Sequence, residues 1–294
     1  MESVQYDRTG KINLDPIYDQ RDPVSYFSTL SQLGYAIPGT AKPLFSRLIA
    51  ARRAATGRRE VKIVDLGCSY GVNGALLKYG LSMATLYRLY GNGFDGGREE
   101  LVERDRTIFG HPVDRDIQIV GIDQAGNAVD YAVDVGSLDG GFAANLERDG
   151  LSPSGLRAVA DADLIISTGC FGYVTERSLE RLLDATEGSR PWMAHFVLRM
   201  FSFDAARKML ERHGYMTEKA DGLYRQRRFA SAEERRHVLD NLAAIGVDPE
   251  GFEAEGWYYA ELHVARPRAE ARKITLAALL GGAVAGGEGL LASH

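Results

Sequence analysis

The sequence predicts an α/β fold, with a mostly parallel sheet covered by helices on both faces. Apolar runs of strand length alternate with helical stretches along most of the chain, and this alternation is typical of parallel sheets. One run, Val61–Leu66, is apolar at four of its six positions, as expected of a buried parallel strand. The composition agrees, because 294 residues that are 45% hydrophobic and 26% charged suffice for one large α/β domain with additions or for two small ones.

Charge and cysteine content narrow the classes of function. The formal net charge is -5 and the isoelectric point is about 5.8, which argues against a nucleic-acid-binding protein because such proteins usually carry a basic surface. Only two cysteines occur, Cys68 and Cys170, so no disulfide framework is predicted and a reducing cytoplasm is the expected location. The six histidines are scattered without metal-ligand spacing, so no metal site is predicted.

Neither end of the chain predicts a membrane segment. The N-terminal MESVQYDRTGKINLD is polar and lacks the apolar core of a signal peptide. Residues 276–291 are apolar, but this stretch is rich in glycine, is interrupted by Glu288 and is shorter than the roughly 20 residues of a spanning helix. We expect a mobile tail or a helix that docks on a partner, and no membrane association.

Periodicity and turn signals divide the chain into elements and three regions. Residues 1–58 are predicted to form an N-terminal helical cap, residues 59–267 the main domain with a helical insertion at 79–116, and residues 268–294 a tail. Helices are predicted at 23–33, 40–55, from about 72, at 80–90 with Ser82 as its cap, and at 98–110, 125–135, 176–183, 203–213 and 232–245. Seven strands are predicted at 61–66, 117–122, 142–146, 163–167, 193–200, 223–229 and 257–265. The cap and the insertion are expected to close over a substrate.

The most informative motif is VKIVDLGCSYG, residues 61–71. Asp65 and Gly67 end the strand, and Ser69 and Gly71 lead into a helix, so a ligand can press against backbone that lacks bulky side chains. Asp65 would repel a pyrophosphate but could hold a ribose hydroxyl or an ammonium group. The motif resembles the first motif of class I S-adenosylmethionine-dependent methyltransferases, D-x-G-x-G-x-G, with Ser69 in place of the middle glycine.

This resemblance implies a seven-stranded Rossmann-like sheet with S-adenosylmethionine at the carboxyl ends of its strands. In that family an acidic residue at the end of the second strand binds both ribose hydroxyls, and Asp123 stands there. The third strand ends in a polar and an apolar residue that meet the adenine; here they are Asn145 and Leu146, where the family more often has aspartate. The fourth strand ends beside the methionine part of the cofactor. The implied cofactor-binding residues are Asp65, Gly67, Cys68, Ser69, Gly71, Asp123, Gln124, Asn145, Leu146, Ser167, Thr168 and Gly169.

Each of these positions also has a purely structural interpretation. The glycine-rich loop alone could be an ordinary turn between a strand and a helix. Asp123 could cap the helix that follows it, and Asn145 could be a turn asparagine. The segments support one another because all of them fall at the carboxyl ends of strands, where open α/β sheets bind ligands.

Residues for a methyl acceptor are harder to assign, because methyl transfer needs alignment more than it needs catalytic side chains. His195 interrupts an apolar strand and is the best candidate for a general base, with a satisfied core histidine as the alternative. Arg199 and Arg228 could hold an acceptor carboxylate or phosphate, or they could form structural ion pairs. Aromatic side chains suit a small organic acceptor or the sulfonium, and the candidates are Tyr26, Tyr35, Phe171 and Tyr173.

The sequence therefore predicts an S-adenosylmethionine-dependent methyltransferase that acts on a small organic acceptor. Oxygen is the first choice of acceptor atom, followed by nitrogen or carbon, and a homodimer is the oligomer considered. Two alternatives stay open. One is a cofactor-binding scaffold without catalysis, and the other is a nicotinamide-dependent oxidoreductase, which would want a glycine-rich turn without a preceding acidic residue.

Overall fold

A computed structural model describes residues 11, 15–91, 94 and 96–281, and within them eight strands form one sheet. The strands are β1 (Val61–Leu66), β2 (Ile117–Asp123), β3 (Gly140–Ala143), β4 (Leu164–Thr168), β5 (Trp192–Leu198), β6 (Tyr215–Lys219), β7 (Tyr224–Arg228) and β8 (Trp257–Pro267). Seven of them lie in the order β3-β2-β1-β4-β5-β8-β6, and β7 pairs with β8 beside this row. Strands β1 to β5 are parallel, whereas β8 runs antiparallel to β5, β6 and β7.

Helices cover the sheet, and further helices precede its first strand and follow its last one. They are α1 (Asp15–Tyr18), α2 (Val24–Gln32), α3 (Ile37–Thr56), α4 (Val72–Leu77), α5 (Met83–Tyr90), α6 (Arg98–Ile108), α7 (Gly126–Val135), α8 (Pro153–Val159), α9 (Glu176–Ala185), α10 (Asp204–Arg212), α11 (Ala232–Ala244), α12 (Arg268–Ala271) and α13 (Leu276–Leu279), with a 3-10 turn at Glu253–Glu255. None of the helices in these ranges is both long and apolar enough to cross a membrane.

The central strands are buried on both faces because successive residues enter two different cores. Ile63 of β1 belongs to the larger core, which includes apolar residues of α2, α3, α5 and α7. Its neighbour Val64 belongs to the second core, which includes apolar residues of α9 and α10. This alternation explains why the central strands are nearly continuous apolar runs, and it confirms the predicted α/β fold with helices on both faces.

Most predicted elements are confirmed, but three details of the prediction are wrong. Strand β3 begins and ends earlier than the predicted 142–146, because Asn145 and Leu146 belong to a turn that follows the strand. Strand β6, Tyr215–Lys219, was not predicted at all, since its residues are mostly half-exposed and carry no long apolar run. The predicted strand at 223–229 exists as β7, yet it lies beside the seven-stranded row rather than within it.

A buried carboxyl group holds the described part of the 79–116 insertion to the domain. Asp105 of α6 is fully buried, and it accepts hydrogen bonds from Tyr90 Oη of α5 at 2.6 Å and from Tyr131 Oη of α7 at 2.5 Å. Arg104 forms an ion pair with the same carboxyl group at 2.7 Å. The insertion therefore packs along α2 and α7 on one face of the sheet.

The described start of the C-terminal tail packs on the protein itself. Leu276, Leu279 and Leu280 are buried, and Arg47 of α3 donates a hydrogen bond to the carbonyl oxygen of Leu280. The rest of the tail, residues 282–294, lies outside the described residues, and most of the apolar stretch predicted to be mobile or to dock on a partner falls there.

Candidate functional site

A cavity of about 670 Å³ opens at the carboxyl ends of β1, β2 and β4. Its volume is within the range of small-molecule sites, roughly 300–1,000 Å³, and its position is the one where open α/β sheets bind ligands. Eight of the predicted cofactor-binding residues line it: Gly67, Ser69, Asp123, Gln124, Asn145, Leu146, Thr168 and Gly169. The remaining wall includes four tyrosines, Tyr18, Tyr26, Tyr35 and Tyr173.

The loop after β1 brings its backbone close to the neighbouring strand ends. Gly67 and Ser69 have positive φ angles of 74° and 46°, a conformation that favours glycine and small residues. A Cβ atom on Gly67 would lie 2.7 Å from Cys170 Cβ, so only glycine fits there. The N–H groups of Gly67 and Cys68 both point to the carbonyl oxygen of Ile122, at 2.8 and 3.4 Å. The loop is thereby closed onto the end of β2.

Asp123 is fixed at the end of β2 with both carboxylate oxygens already oriented. Oδ2 accepts a hydrogen bond from the Ser69 N–H at 2.9 Å, and Oδ1 accepts one from the Ala125 N–H at 3.0 Å. Burial raises the pKa of this carboxyl group, while the backbone N–H donors oppose that rise. Each oxygen keeps acceptor capacity for a further donor from the cavity. Asp123 can therefore accept two hydrogen bonds from a vicinal diol.

Asp65 lies beneath the cavity wall rather than in it. The side chain is fully buried, and Oδ1 accepts a hydrogen bond from Asn73 Nδ2 at 2.9 Å. Burial raises its pKa to about 7, against the hydrogen bond from Asn73 and helped by the charge of Asp123. Within the described residues, Oδ2 has no hydrogen-bond partner. Asp65 can act on a ligand only through Asn73 and Thr168, because Asn73 Nδ2 also lies 3.3 Å from Thr168 Oγ1.

Three other predicted cofactor residues also support the wall from behind. Cys68 packs against β2, where a Cβ on Gly121 would lie 2.5 Å from Cys68 Sγ. Gly71 begins α4 with φ 73° and lies close to the Ser137 side chain. Ser167 Oγ is fully buried and hydrogen-bonds to His195 Nδ1 at 2.9 Å. None of these three predicted residues lines the cavity, so the structure places them behind its wall.

Asn145 lines the cavity and forms a turn as well. Its Oδ1 accepts a hydrogen bond from the Glu147 N–H at 3.1 Å, and its Nδ2 lies 3.3 Å from Gln124 Oε1. Glu147 in turn accepts hydrogen bonds from the N–H and the hydroxyl of Thr175, both at 2.8 Å. Although burial opposes ionisation, hydrogen bonds from Ser178 and Thr175 lower the pKa of Glu147. The polar groups that follow β3 are thus fixed on the N-terminus of α9.

His195 is not placed to act as a general base. It is fully buried in β5, it bonds to Ser167, and its ring contacts Phe171 and Phe203 at centroid distances of 5.3 and 6.0 Å. Burial, with a contribution from His263, lowers its pKa to about 3. The structure places the predicted catalytic His195 in the core and not on the cavity wall. It matches the alternative of a core histidine, although Nε2 has no hydrogen-bond partner within the described residues.

Three predicted acceptor residues also lie away from the cavity. Arg199 forms an ion pair with Glu253 at 2.6 Å and packs over the Phe252 ring. Arg228 is exposed and lies over the Trp257 ring. Phe171 is buried in the second core. The other three aromatic candidates, Tyr26, Tyr35 and Tyr173, do line the cavity.

Gln226 and Arg227, which are neighbours in β7, both line the cavity. Strict alternation along a strand would separate them, but the register between Arg225 and Arg228 contains a β-bulge. The extra residue lets both neighbouring side chains be buried on the cavity side. The sequence holds no signal for this bulge. Lys11, Tyr18, Glu147, Arg148 and Arg177 are further wall residues that were not predicted as site residues.

The described part of the insertion does not cover the cavity. No described residue of 79–116 lines it, because α5 and α6 pack along α2 and α7 instead. The N-terminal region does reach the cavity, through Lys11, Tyr18, Tyr26 and Tyr35. Of the two segments expected to close over a substrate, the N-terminal one is in position, and the described residues of the insertion are not. Among the described residues, no group of three or more histidine, cysteine or acidic side chains is placed to hold a metal ion.

No protein-family model and no curated protein matches this sequence. Several solved structures do match it. A TehB-like SAM-dependent methyltransferase from Corynebacterium glutamicum is 17% identical, with 73% of this chain and 85% of that chain covered and a TM-score of 0.35. Magnesium protoporphyrin IX methyltransferase from Synechocystis is 11% identical, with coverages of 77% and 80% and a TM-score of 0.38. The plantazolicin methyltransferase BpumL is 12% identical, with coverages of 84% and 92% and a TM-score of 0.41.

Proposed function

We propose that this protein is an S-adenosylmethionine-dependent methyltransferase that acts on a small organic acceptor. The observation that carries the proposal is the Asp123 carboxylate, which lines the cavity and is oriented by the N–H groups of Ser69 and Ala125. A carboxylate held in this way suits the two hydroxyls of a ribose. Leu146 supplies an apolar wall beside it for the adenine, and Thr168 and Gly169 line the methionine end.

The backbone N–H groups of the loop after β1 are already hydrogen-bonded within the protein, which favours S-adenosylmethionine over a dinucleotide. A pyrophosphate is bound by free backbone N–H groups at such a turn. Here the N–H groups of Gly67, Cys68 and Ser69 already bond to Ile122 and Asp123, and that of Gly71 bonds to Cys68. The sheet order differs as well, because the antiparallel β8 lies between β5 and β6, where the dinucleotide fold has an uninterrupted 4-5-6 order.

The residues of the chain fit the chemistry that this cofactor requires. When bound, S-adenosylmethionine supplies an electrophilic methyl group on a sulfonium centre. The cavity wall then has to align the acceptor and exclude water. The tyrosine rings provide apolar surface, and their faces favour a cationic centre. None of the cavity residues is assigned as a general base, so we propose an acceptor atom that attacks without deprotonation by a side chain.

We propose a role for each of the three regions predicted from the sequence. Residues 1–58 form the cap of the acceptor side, residues 59–267 the catalytic domain, and residues 268–294 an appendage. We propose a cytoplasmic enzyme whose partners are the cofactor and a small molecule, and a homodimer stays a prediction. The expected absence of nucleic-acid binding rests on the net charge of -5.

The decisive experiment measures S-adenosylhomocysteine binding by titration calorimetry for the wild type and for Asp123→Ala and Asp123→Asn. Each variant removes charge-assisted hydrogen bonds to the ribose, so affinity should fall about hundredfold or more. Asp123→Asn retains an oxygen for the Ser69 N–H and keeps the loop in place. Asp130→Ala, at an exposed position of α7, is the matched control and should bind as the wild type does.

Two results would contradict the assignment. Wild-type affinity in Asp123→Asn would remove the ribose role of this residue. Binding of NAD but not of S-adenosylhomocysteine by the wild type would promote the oxidoreductase. A scaffold without catalysis would bind the cofactor yet never convert it to S-adenosylhomocysteine in any acceptor screen.

A further inference from the structure

One wall of the cavity is built from two segments that are far apart in sequence. Strand β7 contributes Gln226, and the turn between α2 and α3 contributes Tyr35. Their backbones are joined directly, since the Ala36 N–H donates to the carbonyl oxygen of Gln226 at 2.8 Å and the Arg228 N–H donates to that of Leu33 at 2.8 Å. These two bonds fix the separation of the two side chains before any ligand arrives. We call Tyr35 and Gln226 the acceptor wall.

The hydroxyl of Tyr35 can supply a hydrogen bond to a molecule in the cavity. Tyr35 lines the cavity and is 9% exposed. Burial raises the pKa of this hydroxyl well above its ordinary value, so the hydroxyl keeps its proton and can donate a hydrogen bond.

Gln226, on the other side of the acceptor wall, has an oxygen that lacks a hydrogen-bond donor. The side chain is 5% exposed, and within the described residues its Oε1 has no hydrogen-bond partner. A buried carboxamide oxygen without a donor is costly, by an amount comparable to a lost hydrogen bond. Gln226 packs so closely against Gly169 that a Cβ there would lie 2.2 Å from Gln226 Nε2. The unsatisfied carboxamide thus lies directly beside the end of β4, where the proposed function puts the methionine end of the cofactor.

We propose that Tyr35 and Gln226 bind the hydroxyl group of a neutral, planar aromatic acceptor. A hydroxyl donates one hydrogen bond, which satisfies Gln226, and accepts one, which Tyr35 supplies. A carboxylate could accept from Tyr35 but could not satisfy the carboxamide oxygen. The rings of Tyr18, Tyr26 and Tyr173 provide flat walls for an aromatic body. This inference rests on the proposed function and adds the substrate class to it.

The test is a calorimetric titration of the full chain, saturated with S-adenosylhomocysteine, with three related probes. 1-Naphthol carries the hydroxyl, 1-methoxynaphthalene lacks the donor, and 1-naphthoate replaces the hydroxyl by an anion. We expect 1-naphthol to bind, and to bind about tenfold or more tightly than either analogue, which is the effect of one well-placed hydrogen bond. Gln226→Leu and Tyr35→Phe should each weaken 1-naphthol binding by about tenfold while S-adenosylhomocysteine affinity stays at the wild-type value.

Matched variants separate this role from a structural one. Gln118→Leu, at an exposed position of β2, and Tyr224→Phe, whose hydroxyl bonds to the Asp221 carbonyl, should leave 1-naphthol binding unchanged. Gln226→Leu should melt no lower than the wild type, because it removes an oxygen that has no partner. Gln226→Glu is the second variant at this position, and it too should weaken 1-naphthol binding if the neutral carboxamide is required.

The outcomes that overturn the inference differ from those that overturn the proposed function. No binding of 1-naphthol to the wild type, tighter binding of 1-naphthoate, or unchanged binding in Gln226→Leu would each reject a hydroxyl-binding acceptor wall. Failure of S-adenosylhomocysteine to bind would instead reject the proposed function, and the same titrations without it would still show whether the wall binds 1-naphthol.

Discussion

Asp65 and Asp123 stand at the ends of adjacent strands, yet the two carboxyl groups meet different surroundings. Asp123 is oriented by two backbone N–H donors and keeps a surface in the cavity. Asp65 is fully enclosed, bonds to a single amide and has a pKa of about 7. At the scale of single residues, the sequence could predict that both acids follow strands, but not which of them faces the ligand.

Asp65→Asn is expected to make stability less dependent on pH. The ordinary pKa of an aspartate is about 3.9, so between about pH 4 and pH 7 the unfolded chain ionises while the folded protein stays protonated. The stability that Asp65 contributes is full below pH 4 and is lost as the pH rises to 7. The asparagine cannot ionise, so unfolding free energy at pH 8 should exceed that of the wild type by about 2–4 kcal/mol.

Urea denaturation at several pH values measures this effect. Asp130→Asn, exposed on α7, serves as the control and should follow the wild-type profile. A parallel decline of the Asp65→Asn variant and the wild type between pH 4 and pH 7 would show that Asp65 is already ionised in the fold.

Two other single residues have their partners in distant segments. His195 and Arg199 interrupt the predicted apolar strand, a pattern that suits a functional residue equally well. Their partners Ser167 and Glu253 lie 28 and 54 positions away in sequence. Only the folded chain shows that these side chains bond to those partners and do not line the cavity.

At the scale of elements, Gly74 of α4 is a position where close packing requires glycine although helix propensity favours alanine. Helix propensity favours alanine over glycine by about 1 kcal/mol. Here a Cβ on Gly74 would lie 2.1 Å from the carbonyl oxygen of Ser137. Gly74→Ala should therefore destabilise the protein by about 1–3 kcal/mol, because backbone has to move. Urea denaturation measures the loss, with Gly150→Ala, which has open space around its Cβ position, as the control. A stabilised Gly74→Ala variant would contradict this packing.

The insertion provides a second prediction for elements. Asp105 is enclosed and joins α5, α6 and α7 through two tyrosine hydroxyls and Arg104. Asp105→Ala should lower the unfolding free energy by about 2–4 kcal/mol, since it leaves two buried tyrosine hydroxyls without an acceptor and the half-buried Arg104 without its ion pair. Glu103→Ala, at an exposed position of the same helix, should cost little by comparison. A loss equal to that of Glu103→Ala in urea denaturation would exclude this network as the anchor of the insertion.

Elements with a clear period could be predicted, and those without one could not. The apolar runs of β1, β4 and β5 and the cap residue Ser82 of α5 are found where the sequence indicates them. Strand β6 has a weak pattern because one of its faces is only half-buried. The bulge in β7 depends on pairing with β8, which no local pattern records.

For the molecule as a whole, an N-terminal strap ties the cap to the cofactor side. We define the strap as residues 18–22. The Asn127 N–H at the start of α7 donates to Asp19 Oδ1 at 2.8 Å, and Tyr70 Oη bonds to both backbone groups of Gln20 at 2.9 Å. Tyr18 of the strap lines the cavity. The strap thus connects the cap, the motif loop and the helix that follows Asp123.

Loosening this strap should speed the release of cofactor. Asp19→Ala removes one anchor without touching the cavity wall, so the dissociation rate of S-adenosylhomocysteine should rise about threefold to tenfold while the melting temperature changes little. Stopped-flow fluorescence measures the rate, and Asp130→Ala again serves as the control. An unchanged rate would mean that the strap does not hold the cofactor in.

Strand β8 is eleven residues long, and its two ends pair with different strands. Its last residues continue the sheet between β5 and β6, while its first residues carry β7 and with it Gln226. Asp123, which we propose binds the ribose, lies at the end of β2 in the other half of the sheet. Exchanging the segment from β7 to the start of β8 for that of another chain should therefore change the preferred substrate and leave the affinity for the cofactor unchanged. The half of the sheet that carries Gln226 can then be redesigned without altering the half that carries Asp123.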